Sequence, residues 1–252
     1  GTARDGLAAA SYGGDKAIFG YGGISSASSL SNLVNNSGVV AADVTGVGTA
    51  RQALAASSYG GDKAIFGYGY ASTYASMSNL VSNSGVVATD TTGVGTGRYQ
   101  LAAASYGGDK AIFGYGGTGS YVSITNLVSN SGVVATDTTG VGSVRLLLAA
   151  ASYGTDKAIF GYGFTGSRVS MTNLVSSSGV VAADVTGVGT GRNGLKATNY
   201  GGDKAVFAYG NDSSGRTSVK NLVNNSGVVA ADVTGVGTAR EDLAAAGYSL
   251  SA

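Results

Sequence analysis

The stretch YGGDKAIFGYG, from Tyr12 to Gly22, returns almost unchanged at four later places in the chain. Its Asp recurs at a constant step of 47 residues, at Asp15, Asp62, Asp109, Asp156 and Asp203. A period of roughly 20–50 residues is the signature of solenoids, propellers and repeat arrays. The 252 residues therefore predict a single repeat domain, with repeats at 4–50, 51–97, 98–144, 145–191 and 192–239 and a surplus copy of the first segment at 240–252.

Each repeat contains four strand-like segments separated by turns. Gly60-Gly61-Asp62 and Asn83-Ser84-Gly85 are typical of tight turns between strands. No apolar stripe at i, i+3 and i+4 lies between the glycines, so no helix is predicted. The pattern indicates an all-β fold, a five-bladed β-propeller with four antiparallel strands per blade. In the second repeat the strand-like segments are Leu54–Tyr59, Lys63–Tyr68, Met77–Val81 and Val86–Thr91.

The residues of each repeat resemble the kelch repeat. An Arg, a small apolar strand, Gly-Gly, an aromatic-containing strand and a glycine-containing end appear here as Arg51 followed by LAASSYGGDKAIFGYG. The second half, NLVSNSGVVATDTTGVGTGR, is similar to the kelch strand–turn–strand that leads to the next Arg. Gly-Tyr-Gly stands where kelch repeats have a double Gly, and Val86-Val87 where they have a Trp. The resemblance implies radial four-stranded blades and a binding scaffold; the period alone also resembles that of tachylectin-type five-bladed lectins.

Composition argues against several classes of function. The net charge of +1 produces no field that would attract nucleic acid or a membrane surface. The chain has no Cys and no His, so the commonest general base and zinc ligand are missing. The only Glu is Glu241, and no Ser has a His to activate it. We therefore predict no enzyme activity, no catalytic residue, no metal, no cofactor, and neither nucleic acid nor a membrane as a partner.

Most charged residues recur with the repeat. Lys16 and Arg4 each have a copy in every repeat, as do Asp15 and Asp43. We interpret these sets as structural, with the Asp15 set bonding its turn and each Arg pairing with an Asp43-type carboxylate between blades. The alternative is a ring of identical ion-binding sites.

The repeats differ in two places, the loop after GYG and the pair of residues after the repeat Arg. In an up-and-down blade these two segments share one face, here called the variable face, and the constant turns share the other. Such a face is typical of a recognition surface on a scaffold, and its aromatic residues could stack on sugars or anchor a protein. Drift after recent duplication would explain the variation without a ligand. The candidate binding residues are Tyr70, Tyr74, Tyr99, Gln100, Tyr121, Phe164, Arg168 and Arg216.

These observations favour a non-catalytic propeller that acts as a binding or display module, with a protein or glycan on the variable face. The first hypothesis is a protein-interaction or virion-appendage domain. The second is a lectin with one sugar site per blade. The third is a consensus-like or designed propeller with no evolved ligand. Unequal loops favour the first, because a multivalent lectin should keep its site residues equal.

The first strand occurs six times, whereas the other three occur five times each. A ring of five blades has five innermost positions, so one copy is surplus. We expect the C-terminal copy, residues 240–252, to take the innermost position of the first blade, with Gly1–Tyr12 displaced or paired with a neighbouring molecule. The chain is then a monomer that can exchange strands through its surplus terminal strand.

Overall fold

The computed structural model describes residues 1–247 and shows an all-β chain. None of these residues is helical, so the prediction of an all-β fold is confirmed and this range holds no helix that could cross a membrane. The strands are β1 (Ala8–Tyr12), β2 (Lys16–Gly20), β3 (Ser31–Val34), β4 (Ala55–Tyr59), β5 (Lys63–Gly67), β6 (Ser78–Val81), β7 (Ala102–Tyr106), β8 (Lys110–Gly114), β9 (Thr125–Val128), β10 (Ala149–Tyr153), β11 (Lys157–Gly161), β12 (Thr172–Val175), β13 (Lys196–Tyr200), β14 (Lys204–Ala208), β15 (Asn211–Asp212), β16 (Gly215–Arg216) and β17 (Lys220–Val223).

Each repeat forms one three-stranded antiparallel sheet. Sheets 1 to 4 have the orders β1-β2-β3, β4-β5-β6, β7-β8-β9 and β10-β11-β12, and sheet 5 has the order β13-β14-β17. The first two strands pair across the Gly-Gly-Asp turn, as Tyr59 does with Lys63. The short strands β15 and β16 form a hairpin inside the variable loop of the fifth repeat.

The expected fourth strand is not formed as a regular strand. In the second repeat, the segment Val86–Thr91 contacts β6 at two isolated bridges, between Val81 and Val87 and between Ser78 and Thr91. The Thr91 amide donates to the Ser78 carbonyl at 2.8 Å. Each sheet therefore has three strands and an irregular outer segment, instead of four strands.

Neighbouring sheets pack through a phenylalanine that requires a glycine opposite it. Phe66 in β5 is fully buried, and its ring lies against Gly20 of the preceding sheet. A Cβ on Gly20 would stand only 2.7 Å from Cζ of the ring. The ring also meets Tyr21 edge-on, with 5.2 Å between centroids. Equivalent glycine and phenylalanine residues meet at the next three boundaries. These pairs are Gly67 and Phe113, Gly114 and Phe160, and Gly161 and Phe207.

A buried arginine at the start of each repeat connects two sheets. The guanidinium of Arg98 lies 4.3 Å from the centre of the Tyr68 ring in the preceding sheet. Inside its own sheet it donates to the Tyr115 carbonyl at 3.0 Å and to Asn126 Oδ1 at 2.5 Å. Its Nη1 is 3.7 Å from Asp137 Oδ1 of the same repeat. The expectation of ion pairs between blades was wrong: the ion pair lies within one repeat, and the aromatic ring makes the link between sheets.

The Asp15 set bonds its turns, as the sequence indicated. Asp62 accepts hydrogen bonds from Lys63 Nζ and Asn83 Nδ2, both at 3.0 Å, and these bonds lower its pKa. The Gly60 amide donates to the Asp109 carbonyl of the next sheet at 2.7 Å. The constant turns therefore also contact one another from sheet to sheet.

Six copies of the first-strand segment surround one central cavity. The Ser11 hydroxyl donates to the Gly247 carbonyl at 2.6 Å, which places the C-terminal copy beside β1. The first strands of consecutive sheets are also in contact with one another. The segments that line the cavity are Leu7–Ala9, Leu54–Ala56, Leu101–Ala103, Leu148–Ala150, Lys196–Ala197 and Ala244–Ala245.

The expectation that the N-terminal copy is displaced was wrong. Ala8–Tyr12 pairs along its whole length with Lys16–Gly20, because the short turn between them makes this pairing local and inexpensive in loop entropy. The C-terminal copy instead lies beside β1, where Gly247 accepts a hydrogen bond from Ser11. In the same copy, Arg240 stacks on Tyr209 at 4.4 Å, as Arg98 does on its tyrosine. Residues 248–252, the rest of the predicted surplus segment, lie outside the described residues.

Gly67→Ala should lower the free energy of unfolding by about 1–3 kcal/mol, because the added methyl group would overlap the Phe113 ring. Urea denaturation measures this. The double variant with Phe113→Leu should lose less than the sum of the two single variants. Ala208→Gly, at the equivalent position of sheet 5, should cost at most about 1 kcal/mol. A Gly67→Ala variant as stable as the wild type would contradict the packing argument.

Arg98→Met should lower the free energy of unfolding by about 2–4 kcal/mol, because it leaves Asn126 without its donor and removes the contact with the Tyr68 ring. Arg4→Met is the matched control. Arg4 donates to Asn32 at 2.5 Å, but within residues 1–247 no ring lies over its guanidinium. Its loss should be clearly smaller in the same denaturation experiment; equal losses would show that the ring contact does not stabilise the sheet boundary.

Candidate functional site

The two variable segments of each repeat meet as a trio of neighbouring residues, here called a tile. In the second repeat, isolated bridges join Gln52 to Tyr70 and Tyr70 to Tyr74. The amides of Gln52 and Tyr70 donate to each other's carbonyls at 2.9 and 2.8 Å. The five tiles are Asp5/Gly23/Ala27, Gln52/Tyr70/Tyr74, Tyr99/Gly117/Tyr121, Leu146/Phe164/Arg168 and Asn193/Asn211/Arg216.

The residue after the first member of each tile turns the chain toward the central cavity. Gln100 holds a left-handed conformation with φ of 52°, and its amide donates to the Ala53 carbonyl at 2.8 Å. The Leu147 amide donates in turn to the Gln100 carbonyl at 3.0 Å. These bonds form a chain around the cavity mouth, which extends to Asp242 in the sixth position. Gln100 therefore lies at the cavity mouth and outside the tiles.

Three tyrosines from two neighbouring tiles, two exposed and one half-buried, form one group, here called the tyrosine cluster. The rings of Tyr74 and Tyr99 are stacked, with centroids 5.3 Å apart and an interplanar angle of 15°. Tyr70 lies 5.8 Å from Tyr74 and 6.3 Å from Tyr99. Tyr70 and Tyr74 are 38% and 40% exposed. Because Tyr99 belongs to the next repeat, the cluster spans a sheet boundary.

The other candidate residues continue this row across the next boundaries. Tyr121 meets Phe164 edge-on, with 6.2 Å between centroids. Arg168 Nη2 donates to Asn211 Oδ1 at 2.7 Å. Arg216 Nε pairs with Glu241 Oε1 at 3.0 Å. The last member of a tile thus contacts the next repeat, and the structure brings all the predicted binding residues except Gln100 into one row.

Sequence analysis missed a charged residue at the cavity mouth. Lys196 begins β13 at the position that Ala8 holds in β1, and it lines a cavity of about 220 Å³ together with Asp242. Burial lowers the pKa of the Lys196 ammonium, and the nearby Asp242 carboxylate opposes this shift. The fifth repeat reads LKATNY where the first reads LAAASY, and this difference could have identified Lys196 from the sequence.

No protein-family model matches the chain, and no curated protein shows significant similarity to it. Within residues 1–247, no group of three or more Asp or Glu side chains is arranged to hold a metal ion. The functional argument therefore depends on the geometry of the variable face.

Replacement of all three cluster tyrosines by Ser should change the free energy of unfolding by no more than about 1 kcal/mol, because Tyr70 and Tyr74 are exposed, Tyr99 is half-buried, and the bridges that hold the tiles are backbone hydrogen bonds. Phe66→Ala should cost about 3–5 kcal/mol, since its ring is fully buried between sheets. Thermal and urea unfolding measure both. If the triple variant is as unstable as Phe66→Ala, the tyrosines are part of the core and cannot be a free recognition surface.

Proposed function

We propose that this protein is a non-catalytic β-propeller scaffold that binds a partner on its variable face. In this proposal the five sheets are radial blades, each with three strands and an irregular outer segment, and the first strands surround the axis. The repeated contacts across four sheet boundaries and the shared central cavity support the arrangement. The C-terminal copy supplies an irregular segment at a sixth position around the axis. The kelch resemblance implies the same kind of scaffold.

The observation that carries the proposal is the tyrosine cluster. Aromatic rings bury a large area at a low cost in side-chain entropy, and tyrosine is enriched at binding hot spots. The first tile makes the same backbone bridges with only Asp5, Gly23 and Ala27. The tile conformation therefore does not need aromatic side chains. Their presence at the second and third tiles is better explained by binding than by folding.

The unequal tiles favour one continuous partner over five equal sites. The tyrosine cluster lies at one end of the row, and Arg168 and Arg216 lie at the other, where both are exposed. A protein surface with apolar side chains opposite the tyrosines and carboxylates opposite the arginines would complement this row. A lectin with one sugar site per blade would require the same residues in every tile. A glycan that stacks on the tyrosines is the second candidate, because Tyr70 and Tyr74 are each more than one-third exposed.

The test uses a displayed peptide library and a glycan array, screened with the wild-type protein. Each ligand is then measured against the triple Tyr-to-Ser variant and against Tyr200→Ser. Tyr200 is a matched control, because it is 38% exposed like Tyr70 but lies at the opposite mouth, among the constant turns. We expect at least a tenfold loss of affinity in the triple variant and none in the control. The absence of any ligand, or an equal loss in both variants, would contradict the proposal.

A further inference from the structure

The cavity at the variable-face mouth combines an apolar wall with a single cation. Leucines that precede the first strands form much of its wall. Lys196 is the only cationic side chain among its lining residues, and the acidic ones are Asp5 and Asp242. Gly247, the last described residue, lines the opposite mouth, so this cavity of about 220 Å³ is lined by described residues alone.

Lys196 stands where the other first strands have a buried alanine, and its amine has no partner. The turn lysines each pair with the preceding Asp, as Lys63 does with Asp62 at 3.0 Å. Lys196 is half-buried and makes neither an ion pair nor a side-chain hydrogen bond within residues 1–247. An ammonium group carries three donors, and its burial without acceptors is costly. Lys196 therefore presents an unpaired amine to the cavity. The equivalent alanines are Ala8, Ala55, Ala102 and Ala149.

Asp242 is held near this amine by the backbone of the fifth repeat. It adopts a left-handed conformation with φ of 53°, and its amide donates to the Gly194 carbonyl at 2.9 Å. Its carboxylate lies over Gly194, where an added Cβ would stand 3.3 Å from Oδ1. Gly194 precedes Lys196 by two residues, and the two charged groups influence each other without forming an ion pair. The cavity therefore holds an amine and a carboxyl group that are close but not bonded.

The surroundings of Lys196 favour its neutral form, unlike those of the turn lysines. Burial lowers the pKa of the Lys196 ammonium, and the Asp242 carboxylate opposes this shift. Pairing with Asp15 raises the pKa of Lys16. A lowered pKa leaves more of the amine unprotonated at about pH 8, and only the unprotonated amine is a nucleophile. Lys196 is therefore more reactive than the turn lysines.

The Asp242 carboxyl is suited to exchange a proton in the same cavity. Partial burial raises its pKa, and Lys196 opposes this shift. The nearby acids Glu241 and Asp5 raise the pKa further, whereas Arg216 lowers it. A carboxyl group with a raised pKa gives up its proton closer to neutral pH, where it can act as an acid and then as a base.

The charges and size of this cavity select a small neutral ligand. Asp5 and Asp242 outnumber the one amine, so an anion would be repelled at the rim, and a cation would be repelled by Lys196 inside. A neutral molecule with an alkyl part avoids both repulsions and fits the leucine wall. The volume of about 220 Å³ is below the roughly 300–1,000 Å³ of drug-sized pockets, which restricts the ligand to a few carbon atoms.

We propose that the cavity at the variable-face mouth binds a small neutral aldehyde or ketone as an imine of Lys196. The neutral Nζ attacks the carbonyl carbon to form a carbinolamine. The carbonyl oxygen then leaves as water with the two protons that the amine carried, and a C=N bond remains. Asp242 donates a proton to the departing hydroxyl and recovers one from the nitrogen. No oxidant or reductant is consumed, and water reverses the reaction, so the ligand is held and released unchanged. This binding does not depend on the partner proposed for the variable face.

The test treats the full chain with pentanal and sodium cyanoborohydride, which reduces each imine to a stable secondary amine. Peptide mapping by mass spectrometry then measures the adduct at every lysine of the same molecule. Lys220 is the matched control: it is also half-buried and without an ion pair in residues 1–247, but it begins β17, two strands away from the cavity. At about pH 8 we expect Lys196 to be labelled at least tenfold faster than Lys220, and this preference should shrink toward about pH 11, where both amines are unprotonated.

Lys196→Ala shows whether the fast adduct belongs to this amine. The variant has the alanine that four other first strands carry at this position, so we expect it to fold, and urea denaturation checks this. It should lose the fast adduct and keep the slow labelling of Lys220. Lys220→Arg should keep the fast adduct. If Lys196→Ala fails to fold, the comparison of Lys196 with Lys220 inside the wild-type chain still decides the outcome.

Glyoxylate, an aldehyde that carries a carboxylate, tests the selection of a neutral ligand. Labelling of Lys196 is expressed relative to Lys220 in the same sample, which removes the difference in reactivity between the two aldehydes. We expect this ratio to be about threefold or more smaller with glyoxylate than with pentanal, because Asp5 and Asp242 repel the anion. Asp242→Asn should bring the two ratios closer together.

Equal labelling of Lys196 and Lys220 by pentanal would overturn the proposal. A higher ratio with glyoxylate than with pentanal would also overturn it, because the cavity would then select an anion. The same conclusion would follow if pentanoate, which cannot form an imine, protected Lys196 from cyanoborohydride labelling while pentanal showed no preference for it.

Discussion

The close approach of a phenylalanine ring to a glycine, repeated at each sheet boundary, is the constraint on which the rest of the structure depends. With no side chain on Gly67, the Cζ end of the Phe113 ring can approach β5 closely, and Arg98 reaches the Tyr68 ring at the same boundary. The arginine is then shielded from water, which lowers its pKa, and its hydrogen bonds with Asn126 compensate for burial of the charge. Apolar packing and the polar network therefore support each other at the same boundary.

The molecule separates the residues that hold it together from those that are free to vary. The tiles are held by backbone bridges, so the bridging pattern does not depend on one particular set of side chains at their three positions. The first tile, with Gly23 and Ala27, and the second, with Tyr70 and Tyr74, have the same bridging pattern. A rigid scaffold with permissive surface positions is the arrangement in which loop residues can acquire a binding role without a loss of stability.

The fifth repeat differs from the others on the face against which no further sheet of residues 1–247 packs. Lys196 and Ala208 stand where the other repeats have alanine and glycine, and Tyr200 is exposed. A sheet face without a packed neighbour is not required to keep the small and apolar residues that a boundary needs. Sheet 1 keeps Phe19, which is suited to a glycine-bearing neighbour.

Local patterns along the chain predict the period, the absence of helix, and the positions of the first three strands, because alternation and Gly-Gly-Asp turns act over a few residues. They also indicated that the variable positions would be surface loops. Only the tertiary structure decided the partner of each arginine, the meeting of Tyr74 with Tyr99 across a boundary, and the irregular fourth segment. It also decided that the C-terminal copy stands in a sixth position beside β1. These features depend on contacts between residues of different repeats and on the space around the central cavity, which no local pattern along the chain encodes.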